Sequence, residues 1–95
     1  MPWYVYIVEC RDRTLYTGVT NDLSARIDAH NAGRGARYTR ARRPVLLRWS
    51  HRTRGRSAAL RKEYAIKKLS RLEKDCLIAG QNRRDSDARP RATLR

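Results

Sequence analysis

The chain has 95 residues, and 23 Lys and Arg against 9 Asp and Glu leave a formal charge of +14. That length holds one small domain, its apolar runs fall far short of the ~18 residues a membrane span needs, and two cysteines, Cys10 and Cys76, are too few for a disulfide framework or a zinc site. Residues 1–10 lack a basic start, a long apolar stretch and a small-residue cleavage site, so no secretory leader is expected and the chain reads as cytoplasmic, with no membrane partner.

Trp3 to Cys10 (WYVYIVEC) is dense in β-branched and aromatic residues and predicts a strand. Arg11-Asp12-Arg13 is a polar turn, and Thr14 to Thr20 (TLYTGVT) predicts a second strand paired to the first as a hairpin. Asn21 or Asp22 can cap a helix reaching about Asn31, with Leu23 and Ile27 as its apolar stripe and Gly33 as its stop. Arg34 to Pro44 is expected to be a long cationic loop, followed by a third strand over Val45 to Ser50. Ser57 can cap a helix to about Ser70, and residues 71–79 predict a short last helix ending at Gly80. The order is ββαβαα, a small α/β fold in which a three-stranded sheet is flanked by about three helices. Residues 1–80 form the expected domain. Residues 81–95 are expected to be a basic, disordered tail, since Ala88, Ala92 and Leu94 are its only apolar residues.

Pairing Cys10 with Thr14 across the turn sets Tyr6 opposite Gly18 and Tyr16 opposite Val8. Alternation then puts Tyr4, Tyr6, Tyr16 and Gly18 on one sheet face. Gly18 would leave a notch beside Tyr6 that a backbone phosphate could approach. The same residues are equally those of a packed core with a bulge at the glycine, and the sequence leaves both open. Arg26 and His30 are i, i+4 neighbours flanking the Leu23–Ile27 stripe, which places them at the edge of the buried face. There an Arg can clamp phosphate or simply snorkel, and a His can handle a proton or serve structure. Glu63 is the lone carboxylate of its helix, amid Arg61, Lys62, Lys67 and Lys68. It suits an ion pair with Lys67, or the single oxygen ligand of a Mg²⁺ that keeps most of its waters.

Between Arg34 and Arg56 stand nine Arg and no acid. A GC-rich codon bias accounts for the excess of Arg over Lys but not for a single-sign field of this density, which favours a polyanion such as nucleic acid. Arg37, Tyr38, Arg40, Arg42 and Arg43, together with Gly18, are the candidate substrate contacts, and Tyr38 and Trp49 are aromatics that could stack on bases.

Tyr4-Val5-Tyr6, nine intervening residues, Tyr16-Thr17-Gly18, then Arg26, His30 and Glu63, resemble the GIY-YIG nuclease family over about residues 3–79. The stretches His30-Asn31-Ala32-Gly33 and Gly35-Ala36-Arg37-Tyr38-Thr39 are similar to the short stand-alone bacterial members and to the nuclease domain of branched-DNA structure-specific endonucleases. Tyr4 stands where the first motif has Gly and Thr17 where the second has Ile; neither position carries chemistry. The resemblance implies a metal-dependent endonuclease acting on DNA in repair or recombination, RNA being the other candidate. It gives Tyr6 the role of general base or water-positioning group, with Tyr16 assisting. Arg26 would stabilise phosphorane charge, His30 would serve a proton relay, and Glu63 would hold one Mg²⁺ or Mn²⁺. Arg26 and the metal are expected to favour the Tyr6 phenolate. Two other functions fit the same residues: a non-catalytic nucleic-acid-binding module, and a nuclease subunit that needs a protein scaffold to present its substrate.

Overall fold

The computed structural model describes residues 2–88. Strand β1 (Trp3–Glu9) lies between β2 (Leu15–Thr20) and β3 (Leu46–Thr53) in an antiparallel sheet of order β2-β1-β3. A central strand covered on both faces must be apolar throughout, and Val5, Tyr6, Ile7 and Val8 are all fully buried. Alternation sends Val5 and Ile7 to one face, where Trp49, Ile66 and Ile78 close a core under α3 (Arg56–Lys67) and α4 (Arg71–Ala88). Tyr6 and Val8 point to the other face, against Cys10, Val45, Leu23 and Ile27 under α1 (Leu23–Asn31).

The hairpin has the expected register: Tyr4 faces Thr20, Tyr6 faces Gly18 and Val8 faces Tyr16. Cys10 N–H donates to the Thr14 carbonyl at 2.8 Å, and Arg13 takes the left-handed conformation (φ 74°) that closes a three-residue turn. Asp22 caps α1 by accepting from the Ala25 N–H at 3.1 Å, and Gly33, at φ +83°, turns the chain away after the helix.

Several boundaries differ from expectation: β3 runs past Ser50 to Thr53 and α3 stops at Lys67 rather than near Ser70, and three further differences concern the helices. The Arg34–Pro44 loop contains one helical turn, α2 (Arg37–Arg40), so the order is ββααβαα. A single turn leaves no apolar period to read. Its exposed carbonyls are instead met by arginines: Arg42 Nη1 donates to Tyr38 O at 2.8 Å and Arg43 Nε to Arg40 O at 2.9 Å. Helix α3 is capped by Gly55 rather than Ser57, with no side-chain cap bond. Thr53 Oγ1 lies 3.0 Å from both the Trp3 and Gly55 carbonyls and ties that corner to the sheet. Helix α4 passes through Gly80 to Ala88. Gly80 does not adopt a left-handed conformation, and an interior glycine only weakens a helix by about 1 kcal/mol. Of the basic tail expected after it, residues 89–95 lie outside the described residues.

The extension has a structural role. β3 is an edge strand, and Gln81 meets it as a partner strand would: Nε2 donates to Ser50 O at 2.7 Å and Oε1 accepts from Ser50 N–H at 3.2 Å. Gln81→Ala removes both bonds from a half-buried backbone and is expected to lower stability by about 1–2 kcal/mol. The reading is a lower urea midpoint at unchanged m-value.

Candidate active site

The hairpin register, α1 and α2 meet at His30, which is fully buried. Its Nε2 lies 2.8 Å from the Tyr6 hydroxyl and its Nδ1 lies 2.7 Å from Thr39 Oγ1. The Thr39 hydroxyl also reaches the Ala36 carbonyl at 3.0 Å. Arg26, one turn before His30 on α1, donates from Nε to the same Tyr6 oxygen at 3.3 Å. Tyr16 lies edge-on to His30, ring centroids 5.5 Å apart at 66°, and Tyr6 does so at 5.8 Å and 68°. Four of the five predicted catalytic residues therefore form one connected cluster on the hairpin face that Tyr6 and Tyr16 share.

Glu63 joins this group by charge rather than by contact. It is half-buried on α3 and pairs with Lys67 at 3.2 Å; its negative charge contributes to the raised pKa of Tyr6, behind burial, the opposing Arg26 and Tyr16. Among the described residues no three His, Cys, Asp or Glu side chains converge. The donor set is thus one carboxylate, which fits Mg²⁺ or Mn²⁺ bound by a single protein oxygen and completed by water and substrate phosphate, not a protein-caged ion.

Burial decides the protonation states. The Tyr6 phenol is pushed above its ordinary value of 10.0 by desolvation, which outweighs the lowering effect of the Arg26 hydrogen bond and charge. Arg26 acts in the expected direction, toward the phenolate, but burial of the ring outweighs it. His30 is held below its ordinary value of 6.5 by desolvation, helped by the Arg26 charge. At neutral pH the pair is phenol and imidazole, not phenolate and imidazolium.

The space above Gly18 is not an open notch. The Tyr6 ring fills it, and a Cβ there would stand 2.5 Å from the Tyr6 oxygen, so the glycine admits the tyrosine rather than a phosphate. Neither aromatic suggested for base stacking is free. Trp49 is in the core, and Tyr38 is stacked on Tyr16 (6.0 Å, 20°) with the Arg42 guanidinium 4.0 Å above its ring. Arg42 is further tied to Asp12 at 3.0 Å, and Arg43 reaches the Asn31 carbonyl at 3.4 Å. Arg37 and Arg40 are exposed and, like Arg34, carry no side-chain hydrogen bond or ion pair among the described residues.

Sequence reasoning missed Thr39 and Gly35. A Cβ on Gly35 would overlap His30 Nδ1 and crowd its Cα, so that glycine lets the loop close on the imidazole. It also missed Asn31, whose amide brackets Val45 by accepting from its N–H (2.7 Å) and donating to its carbonyl (3.2 Å), setting the entry to β3. Gly35 and Thr39 stand in a stretch read only for resemblance. A hydroxyl nine residues past a histidine gives no periodic signal.

Residues 2–75 match the model of the GIY-YIG catalytic domain. A UPF0213 protein of Desulfotalea psychrophila is 53% identical over 77 residues, covering 80% of this chain and 70% of that protein. One of Staphylococcus haemolyticus is 54% identical over 71 residues, covering 75% and 87%. The solution NMR structure of a UPF0213 protein from Bacillus halodurans aligns with a TM-score of 0.54 at 44% identity, over 83% of this chain and 84% of that one. A second NMR structure, of a protein from E. faecalis, gives 0.60 at 36% identity, over 86% and 88%.

The lowered His30 pKa has a measurable consequence. Below pH 6.5 the imidazole of the unfolded chain takes up a proton that folded His30 refuses, so stability falls on acidification until the folded pKa is reached. Urea unfolding at pH 7.5, 6.5 and 5.5 should show that decline, and His30→Gln should flatten it over the same window.

Proposed function

The chain belongs to the GIY-YIG catalytic-domain family, and from that premise we propose that it is a metal-dependent endonuclease hydrolysing phosphodiester bonds in nucleic acid, with DNA in repair or recombination as the preferred substrate. The observation that carries this reading is the Tyr6 oxygen, which sits between a donor, Arg26 Nε, and an imidazole nitrogen, His30 Nε2. A phenol so placed can accept a proton from an attacking water while its own proton passes to His30. The relay needs no free phenolate, which suits the raised Tyr6 pKa and the neutral imidazole.

Tyr6 is fully buried, so water reaches its oxygen only when a covering group moves, and Arg26, which bonds that oxygen, is the group assigned to move. A substrate phosphate supplies the reason for that movement, because the guanidinium fork exchanges one weak 3.3 Å bond for charge-assisted bonds to phosphate oxygens. Arg26 then stands where phosphorane charge develops. Tyr16 holds His30 in place by its edge contact. Glu63 would hold the divalent ion, which when bound supplies Lewis-acid stabilisation of the leaving 3′ oxygen. Phosphates flanking the scissile bond are assigned to Arg34, Arg37 and Arg40. Arg42 and Arg43 support the fold first.

The full burial of Tyr6 also favours a second reading, a module that binds nucleic acid without cutting it, alone or presented by a scaffold. Incubating the protein with labelled DNA and RNA, with Mg²⁺ or Mn²⁺ and then with EDTA, separates the two. Metal-dependent cleavage supports the nuclease; salt-sensitive binding of uncut substrate supports the module.

For the nuclease, Glu63→Ala should abolish cleavage and retain binding, with an unchanged circular dichroism spectrum. Arg26→Ala should cost on the order of 10²–10³-fold in rate, the scale of one lost donor to developing charge. Tyr6→Phe should be equally slow. It should also lose about 1–3 kcal/mol of stability, because His30 Nε2 is left buried without its donor.

A separate measurement addresses the surface. About six phosphate contacts on duplex DNA would give a slope of log K against log salt near −5. Replacing Arg37 and Arg40 together with Ala should flatten it by up to about two units on unrelated sequences. Equal slopes before and after would remove these two residues from the interface.

A further inference from the structure

We propose that Thr39 is a positioning residue: its hydroxyl fixes buried His30 as the tautomer protonated on Nδ1, so that Nε2 is bare and faces the Tyr6 proton. The direction follows from one group that cannot donate. The Ala36 carbonyl lies 3.0 Å from Thr39 Oγ1 and can only accept, so the single hydroxyl proton of Thr39 points there. Thr39 Oγ1 then meets His30 Nδ1 at 2.7 Å as an acceptor. Nδ1 carries the proton, and a neutral imidazole has only one. Nε2 is therefore the acceptor of the 2.8 Å bond from the Tyr6 hydroxyl. Arg26 Nε closes the chain by donating to the Tyr6 oxygen. Every bond from Arg26 to Ala36 runs the same way.

The opposite tautomer fails at two places. A proton on Nε2 would face the Tyr6 oxygen as donor, leaving the Tyr6 proton with no acceptor on His30. Nδ1 would then need a proton from Thr39, leaving the Thr39 and Ala36 oxygens facing each other at 3.0 Å with no proton between them. An imidazolium would donate on both sides and likewise leave the Tyr6 proton with no acceptor on His30, and burial and the Arg26 charge work against that ion. The fit of the loop supports the same conclusion. Gly35 lies so close to His30 Nδ1 that a Cβ would overlap it, so the loop packs directly on the imidazole edge that meets Thr39. The one-turn helix α2 is what points Thr39 inward: it is the buried residue of that turn.

The catalytic meaning of this tautomer rests on the nuclease reading above, whereas its existence does not. Both are tested with imidazole-¹⁵N-labelled protein in a His51→Asn background. The chain has two histidines, so the remaining signal belongs to His30. The wild-type site should show Nδ1 protonated and Nε2 bare; an Nε2–H signal overturns the proposal. Thr39→Val keeps the shape and removes the acceptor. It should shift the signal toward Nε2–H and lower kcat by about 10–100-fold, the usual effect of losing the partner behind a functional imidazole. KM and the salt dependence of binding should stay unchanged. Thr39→Ser should restore both signal and rate, which also covers a Val variant that folds poorly. A Thr39→Val protein that keeps the Nδ1–H signal, or loses it and still cuts at the wild-type rate, overturns the positioning role. If wild type cuts no substrate, the nuclease reading fails, and the ¹⁵N signal alone then decides whether Thr39 holds the tautomer.

Discussion

Keeping an imidazole neutral in a dry interior requires a partner for each nitrogen, and that requirement at His30 organises this molecule. A buried polar nitrogen left without a partner costs about 1–3 kcal/mol, a large share of the stability of a domain this small. Each partner comes from a different element. β1 delivers the Tyr6 hydroxyl, α2 delivers Thr39, and α1 carries His30 itself. The two close glycines follow from the same demand: Gly18 makes room for the Tyr6 ring and Gly35 for the imidazole. A cationic loop therefore folds back into the core at one residue, Thr39, although its neighbours Tyr38 and Arg40 are exposed.

The same burial sets the electrostatics of the proposed reaction. Arg26 acts on both relay partners in opposite senses: it lowers the Tyr6 pKa, which helps ionisation, and lowers that of His30, which hinders proton uptake. With no phosphate present Tyr6 and His30 both stay neutral. When Arg26 pairs with a phosphate, its charge is partly neutralised and the repulsion felt by an imidazolium at His30 weakens. On this reading substrate does two things at once: it uncovers the Tyr6 oxygen, and it makes His30 a better base.

The fold was legible where packing has a period. The WYVYIVEC run, the three-residue turn and the pairing of Tyr6 with Gly18 followed from alternation alone, and Asp22 and Gly33 marked the ends of α1. What escaped was aperiodic. The single turn of α2, held by arginine side chains on its own carbonyls, looks in sequence like the loop around it. Gly80 reads as a stop unless Gln81 is known to bond Ser50. At the site, residue types and order were enough to gather Tyr6, Tyr16, Arg26 and His30 from composition, pairing and family resemblance. The direction of the Tyr6 pKa was not, because whether burial or Arg26 dominates depends on how completely the ring is enclosed.

Charge in this chain divides into two uses that the sequence cannot separate. Arg42 and Arg43 sit among nine arginines that all look like phosphate ligands, yet their donors meet Tyr38 O, Arg40 O, Asn31 O and the Asp12 carboxylate. They brace α2, α2 aims Thr39, and Thr39 orients His30. Losing charge at Arg42 or Arg43 would therefore reach the proposed relay through structure, whereas losing it at Arg37 or Arg40 would reach only the surface proposed for nucleic acid. The distinction is physical and does not depend on sequence distance, since all four lie within seven consecutive positions. A guanidinium bonded to its own backbone has fewer donors left for phosphate, and one with no partner has all five. The surface that would hold nucleic acid and the brace that orients the imidazole are thus built from the earlier and later members of the same basic run.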